Sequence, residues 1–130
     1  MPKLAEQLNS HRNSSEGLSL RILLKTMIDQ GASDLHLTVG SPPQIRVDGS
    51  LIPLRVNALA PEDTKRLCLS ILTEQQRTTF FERWEMDLSF GLRDLARFRA
   101  NIFVQRGAMA ACFRQIPYKI RPLEQLGTPQ

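Results

Sequence analysis

The strongest constraint on the fold of this chain is a stretch of alternating side chains near its carboxyl end. Apolar residues occupy every second position from residue 96 to residue 104, and Arg97, Arg99 and Asn101 stand between them. A second apolar stretch, 108–116, follows Arg106-Gly107. Because a period of two sends alternate side chains to opposite faces of a sheet, the pattern predicts two strands with one apolar and one polar face.

The register of this predicted hairpin follows from its turn. If Arg106-Gly107 forms a two-residue turn, Gln105 pairs with Ala108, and Arg99 then lies directly opposite Arg114. Like charges opposite each other destabilise a sheet unless an anion lies between them or the side chains spread into water. The hairpin therefore predicts a pair of adjacent arginines on its polar face.

The amino-terminal half shows helical and strand patterns in turn. Ser19 is a candidate N-cap for a helix that ends at Gly31, and alternation predicts a strand over 35–39. Asp48-Gly49 predicts a hairpin between two short strands, the second confined to a sheet edge by Pro53.

Two more helices and another strand follow. One helix is predicted to start at Pro61, and a second at Thr73, where Gln76 completes a capping box. We expect the second helix to turn three aromatic residues, Phe80, Phe81 and Trp84, toward the core. The alternation at 87–90 predicts a further strand. Together these patterns predict an α+β fold with one mostly antiparallel sheet of about six strands and three helices packed on it.

Length and composition are compatible with one ordinary globular domain. The chain has 130 residues, of which 42% are hydrophobic, and its two cysteines, Cys68 and Cys112, are too few and too far apart for a zinc motif or a disulfide framework. No apolar run approaches the roughly 20 residues that cross a bilayer, and no signal peptide opens the sequence, so we predict a cytoplasmic location.

The net charge of +4 is concentrated in one part of the chain. The segment 93–121 carries +6, whereas the remaining residues sum to −2. Its basic residues are Arg93, Arg97, Arg99, Arg106, Arg114, Lys119 and Arg121. This distribution indicates a local anion-binding site rather than a basic surface that extends over the whole protein and binds nucleic acid.

The sequence contains no recognisable catalytic or metal-binding motif. It has no G-x-x-x-x-G-K-[ST] loop and no G-x-G-x-x-G motif. Neither His11 nor His36 has a second metal ligand or a nucleophile at the spacing of a known metal-binding or catalytic motif. The carboxylates Asp34, Asp48 and Asp87 are explained by turns and strand starts. We therefore predict no catalytic residue, no metal ligand and no cofactor in this chain.

Two interpretations of the polar hairpin face remain open from the pattern alone. Arginine presents a rigid fork of donors that suits phosphate, so Arg97, Arg99 and Arg114 could hold one. The face could equally be a solvated polar surface.

Seven segments in order resemble the N-terminal domain of the PilT-type ATPases that retract type IV pili, within the secretion ATPase superfamily. They are 31–37 (GASDLHL), 41–49 (SPPQIRVDG), 87–90 (DLSF), 96–101 (ARFRAN), 105–107 (QRG), 113–117 (FRQIP) and 123–127 (LEQLG). The resemblance covers about residues 19 to 130. One departure is Ala60, where relatives tend to carry a hydroxyl N-cap, which puts local helix stability in doubt.

The resemblance implies a domain organisation. We expect a disordered tail over 1–17, a PAS-like N-terminal domain over 18–120, and over 121–130 the start of a linker to an absent RecA-like ATPase domain. Members of this family are hexamers, and ATP and magnesium are expected in the full-length protein.

The resemblance also implies partners and site residues. By motif position, Arg97, Arg99, Arg106 and Arg114 would face nucleotide phosphate in the intact motor. The partners would be the RecA-like domains of its own and the neighbouring subunit and, through the full motor, a pilus platform protein at the inner membrane. The isolated chain is expected to be a monomer that does not bind nucleic acid. The alternative hypothesis is a stand-alone basic module that binds nucleic acid or another polyanion.

Overall fold

The computed structural model describes residues 18–117, which form three helices and six strands. The predicted tail, linker and segment 123–127 lie outside the described residues, as do residues 118–120. The elements in chain order are α1 (Leu20–Asp29), β1 (Asp34–Leu37), β2 (Gln44–Val47), β3 (Ser50–Pro53), α2 (Pro61–Leu69), α3 (Glu74–Arg83), β4 (Glu85–Leu92), β5 (Ala96–Gln105) and β6 (Ala108–Ile116).

The six strands form a single sheet with the spatial order β3-β2-β1-β6-β5-β4. Every pairing between neighbouring strands is antiparallel. β3 lies at one edge, as Pro53 predicted, and the pairing of β1 with β6 joins the two halves of the chain at the centre of the sheet. The predicted α+β fold with one antiparallel sheet and three helices is confirmed.

The core lies between one face of the sheet and the helices. Leu23, Leu24 and Met27 of α1, Leu67 of α2 and Phe80 of α3 are buried there. The sheet contributes its own apolar face to the same cluster, including Leu35, Leu37, Ile45, Phe98, Ile102 and Phe113. The other face of the sheet is thereby left to the alternate residues of each strand.

The prediction that α3 turns all three of its aromatic residues into the core is wrong for two of them. Phe80 is fully buried, but Phe81 is 39% exposed and Trp84 is 53% exposed. Phe81 lies about 100° around the helix axis from Phe80, at the margin of the buried stripe. Trp84 ends the helix in the left-handed region with φ of 63°. The two outer rings pack edge to face against each other at 5.7 Å.

The predicted helix boundaries are confirmed by their capping contacts. The Ser19 hydroxyl accepts a hydrogen bond from the Ile22 amide, and Gly31, with φ of 68°, follows the end of α1. Thr73 and Gln76 form the predicted reciprocal capping box. Ala60 offers no side-chain acceptor at the start of α2, but the Asp63 carboxylate accepts the Ala60 amide proton at 2.8 Å.

Both cysteines are free thiols. Cys68 is fully buried, and burial raises the pKa of its thiol to about 12. Cys112 is half-buried on β6, where burial and then the negative charge of Asp34 raise the thiol pKa. Neither thiol is therefore a reactive nucleophile at neutral pH. No helix within residues 18–117 has the length and apolar character needed to cross a membrane.

Candidate functional site

The predicted arginine pair exists on the polar face of the sheet. Arg106 and Gly107 have φ of 54° and 79°, which makes the β5–β6 connection a two-residue turn. Gln105 pairs with Ala108, and Arg99 lies opposite Arg114 as the register predicted. Both arginines are exposed, whereas Phe98 and Ala100 beside Arg99 are buried.

The arginine pair is part of a longer row of side chains that runs across the whole sheet. Arg114 lies opposite Asp34 of β1, and Asp34 lies opposite Arg46 of β2. We call this set the arginine row, and its charged members from β5 to β2 are Arg99, Arg114, Asp34 and Arg46. Three positive charges thus stand beside one negative charge.

Asp34 is the buried member of the arginine row. It is 6% exposed, and each of its two oxygens accepts from a different arginine. Oδ2 accepts from Nε of Arg46 at 3.1 Å, and Oδ1 accepts from Nε of Arg114 at 3.3 Å. Nε2 of His36, which is buried without a hydrogen-bond partner among the described residues, lies 3.5 Å from Oδ2.

The ionised form of Asp34 is favoured by this arrangement. Burial by itself raises the pKa of the Asp34 carboxyl, but the hydrogen bond from Arg46 and the positive charges of Arg114 and His36 outweigh burial. The pKa consequently lies below its ordinary value of 3.8. Asp34 is a fixed negative charge at neutral pH.

The two arginines beside Asp34 are held to different degrees. Arg46 is tied at a second point, since its Nη1 also donates to the Gly49 carbonyl in the β2–β3 turn at 3.1 Å. Within residues 18–117 the Arg114 guanidinium is bonded through Nε alone, and the side chain is 69% exposed. An open groove of about 750 Å³ lies at this end of the sheet, lined in part by Asp34, Arg46 and Arg114.

The other two arginines of the predicted set lie elsewhere. Arg97 lies two residues before Arg99 on the same face of β5. Its side chain crosses Gly91 of β4 so closely that a Cβ atom added to Gly91 would lie 3.2 Å from Nη1 of Arg97. Arg106 occupies the turn at the far end of β5, roughly 20 Å along the strand from Arg99. Within residues 18–117 the side chains of Arg97, Arg99 and Arg106 make no hydrogen bond or ion pair.

Sequence reasoning missed Asp34 and Arg46 as members of the site. Asp34 was explained as a strand-start residue, which it is, but its position also places it between two arginines. The Asp48-Gly49 turn predicts that β2 pairs with β3, but it does not predict that β2 also pairs with β1, and this second pairing places Arg46 beside Asp34. The contact between Asp34 and Arg114 spans 80 positions, and no local pattern encodes it.

Comparisons with known proteins give this geometry a context. The chain is 37% identical over 108 residues to the type IV pilus ATPase PilU of Pseudomonas aeruginosa and 43% identical over 105 residues to the type IV pilus retraction ATPase PilT of the same organism. The crystal structure of the pilus retraction motor PilT with bound ADP superposes with a TM-score of 0.75 at 42% identity. The chain is homologous to the N-terminal region of the type IV pilus retraction ATPases of the secretion ATPase family.

These matches cover most of this chain but only a minor part of each relative. They cover 83%, 81% and 83% of this chain but only 28%, 30% and 32% of PilU, PilT and the PilT structure. The chain thus spans about a third of the length of the relatives it matches. No protein-family model matches it. The alternative of a stand-alone module that binds nucleic acid or another polyanion finds no support in these relatives.

Proposed function

We propose that this chain serves as the N-terminal domain of a hexameric motor that retracts type IV pili and that Arg99 and Arg114 contact nucleotide phosphate in the assembled motor. The observation that carries the proposal is the pairing of these two arginines, directly opposite each other and exposed on the polar face of the sheet. Like charges directly opposite each other destabilise a sheet, and an anion bound between them would offset that repulsion.

The residues present fit a phosphate group but not a complete nucleotide site. Two guanidinium groups offer donors in the geometry that phosphate oxygens accept. Within residues 18–117 no group of three His, Cys, Asp or Glu side chains could hold a metal ion. In the proposed motor, ATP and magnesium are held by a RecA-like domain, of the same or the neighbouring subunit, which supplies the hydrolytic chemistry.

The role of the arginines would be electrostatic. Negative charge accumulates on the transferred phosphoryl group in the transition state, and a guanidinium aimed at that charge accelerates hydrolysis. Arg97, one pleat away, could join the same anion by swinging off β4. A phosphate contact by Arg106 requires a different nucleotide from the one that Arg99 and Arg114 face, because roughly 20 Å separates them.

The names of the relatives support a cellular setting for the proposed motor. PilT is named a retraction ATPase and PilU a type IV pilus ATPase. A motor of this kind would act in the cytoplasm at the inner-membrane face, where it would drive the pilus platform protein in twitching motility.

A chimeric motor tests this function. The matched region of full-length PilT from Pseudomonas aeruginosa is replaced by residues 18–117 of this chain, and ATP turnover is measured for the chimera and its Arg99→Ala and Arg114→Ala variants. We expect each variant to lower kcat tenfold or more, since an arginine aimed at the transition state can contribute about 10³-fold. Arg55→Ala, an exposed residue in the loop after β3, is the control and should stay within about twofold of the parent.

The same variants in the isolated chain show whether the arginines serve stability instead. Loss of Arg99 should change the free energy of unfolding by no more than about 0.5 kcal/mol, with a gain possible because like charges are separated. Loss of Arg114 should cost more, about 1 kcal/mol, because the buried Asp34 carboxylate then keeps only its hydrogen bond from Arg46. Unfolded variants combined with unchanged motor turnover would make the arginines structural and refute the phosphate contact.

A further inference from the structure

We infer that Asp34, anchored by Arg46, is a positioning residue for Arg114: it fixes the direction of the guanidinium before any anion arrives. The inference deepens the proposed phosphate contact and rests on it for its functional meaning. The contacts that position Arg114 are those of the arginine row and do not depend on the phosphate contact.

The first step is the asymmetry between the two arginines of the pair. Arg114 has the Asp34 carboxylate on one side and the positive charge of Arg99 on the other. Arg99 has Ser89 of β4 as its other neighbour and no ion pair within the described residues. Of these two arginines, Arg114 alone has a partner within residues 18–117 that sets the orientation of its side chain.

The second step is the anchoring of Asp34 itself. A carboxylate orients an arginine only if the carboxylate cannot follow it, and Asp34 is buried, with its other oxygen held by Arg46 at 3.1 Å. Arg46 is in turn fixed to the Gly49 carbonyl, in a turn where Asp48 and Gly49 have φ of 51° and 85°. The β2–β3 turn thereby holds Arg46, and Arg46 holds the Asp34 carboxylate.

The third step concerns the donors that Arg114 keeps. A guanidinium has five N–H groups, and the contact with Asp34 uses only the one on Nε. The four N–H groups on the terminal nitrogens form the edge that grips phosphate in a forked contact. Positioning by Asp34 therefore leaves the phosphate-binding edge of Arg114 available, and a preoriented donor loses less entropy when it binds.

The fourth step is charge. Asp34 offsets part of the repulsion between Arg99 and Arg114 while remaining on the β1 side of Arg114. An approaching phosphate can enter from the β5 side, where Arg99 adds its own donors. The single carboxylate thus stabilises the empty pair without occupying the place of the anion.

The test follows the side-chain Nε–H signal of Arg114 by ¹⁵N NMR in the 130-residue chain. In the parent chain this proton should exchange with water about tenfold or more slowly than that of Arg99, since a hydrogen bond to a charged group is among the stronger ones. Asp34→Asn should remove the difference. Asp87→Asn is the matched control, because it removes a carboxylate from the same sheet face where Asp87 is bonded to Asn101 at 2.7 Å.

Two further measurements keep the inference falsifiable if Asp34→Asn fails to fold. Arg46→Lys, which keeps the charge but loses the second tie to Gly49, should speed exchange at Arg114 Nε without touching Arg114 directly. In the parent chain, lowering the pH should release Arg114 as Asp34 takes up a proton. The charged and titratable groups that face Asp34 are Arg46, Arg114, His36 and Cys112.

The outcomes separate the inference from the function on which it rests. Fast exchange at Arg114 in the parent chain, or slow exchange that persists in Asp34→Asn, would overturn the positioning role. Equal loss of protection in Asp87→Asn would also overturn it. A normal kcat for Arg114→Ala in the chimeric motor would instead refute the phosphate contact and leave the positioning of Arg114 as a fact about the free chain.

Discussion

At the scale of single residues, Asp34 explains how a strand pair can bear two arginines face to face. The sequence suggested that Arg99 and Arg114 need either an anion or open water between them. The structure supplies a third solution, a buried carboxylate on the far side of Arg114 that is shared with Arg46. Burying the Asp34 carboxylate costs desolvation, which its hydrogen bonds from two arginines offset in part.

The first prediction concerns stability in acid. The pKa of the Asp34 carboxyl is lower in the folded chain than its ordinary value of 3.8, so the folded state binds a proton less readily than the unfolded state. Its contribution is therefore complete above about pH 4 and is lost as the pH falls through the lowered pKa. Asp34→Asn should cost about 2 kcal/mol at pH 7, and this difference should shrink toward zero in strong acid.

Urea unfolding of both proteins between pH 7 and pH 2 measures this difference directly. Asp87→Asn serves as the control for the loss of one negative charge from the same face. A deficit of Asp34→Asn that stays constant over the whole pH range would show that the carboxylate charge contributes nothing.

At the scale of elements, the β5–β6 hairpin shows how much of this site local sequence encodes. Alternation fixed the faces of β5, and the Arg106-Gly107 turn fixed the register that brings Arg99 opposite Arg114. The position of β1 beside β6 could not be predicted from the sequence. The paired residues Asp34 and Arg114 are 80 positions apart, and no local pattern in either strand identifies the other as its neighbour. The two hairpins were predictable, whereas the row that joins them was not.

The helices show the same division between local and long-range information. Caps at Ser19 and Thr73 were correctly predicted because the contacts that form them lie within one turn of helix. The exposure of Phe81 and Trp84 was not predicted, because it depends on the position of α3 against the sheet and on the left-handed end of that helix.

The second prediction concerns the start of α2. Ala60 has no side-chain oxygen for the exposed amides of the first turn, so only the Asp63 half of a capping box is present. Ala60→Ser should add the missing acceptor and stabilise the chain by about 1 kcal/mol. Thr73→Ala, which removes a complete cap from α3, should lose about the same amount.

Thermal unfolding of these two variants and the parent chain gives the comparison. An Ala60→Ser variant no more stable than the parent, beside a Thr73→Ala variant that is destabilised, would show that Asp63 alone satisfies this helix end.

At the scale of the whole molecule, residues 18–117 form a sheet whose helices all pack on its apolar face. The opposite face presents the arginine row. In the proposed motor this charged face meets a RecA-like domain and its nucleotide, so the function of the domain requires a partner.

The third prediction follows from this dependence. The isolated chain should show no ATP turnover, because the proposed hydrolytic groups belong to the RecA-like domain. It should also be monomeric, since in the proposed hexamer each contact joins this domain to the RecA-like domain of the next subunit. Light scattering at micromolar concentration measures the second property, and a stable hexamer of the isolated chain would contradict it.

The central claim, that Arg99 and Arg114 contact nucleotide phosphate, is tested most directly by a cryo-EM structure of the chimeric motor with ADP and aluminium fluoride. The account predicts at least one subunit interface in which a terminal guanidinium nitrogen of Arg99 or Arg114 lies within about 3.2 Å of the phosphate analogue. It would be contradicted if, in every subunit, both guanidinium groups remained beyond the roughly 6 Å over which a neighbouring charge acts strongly.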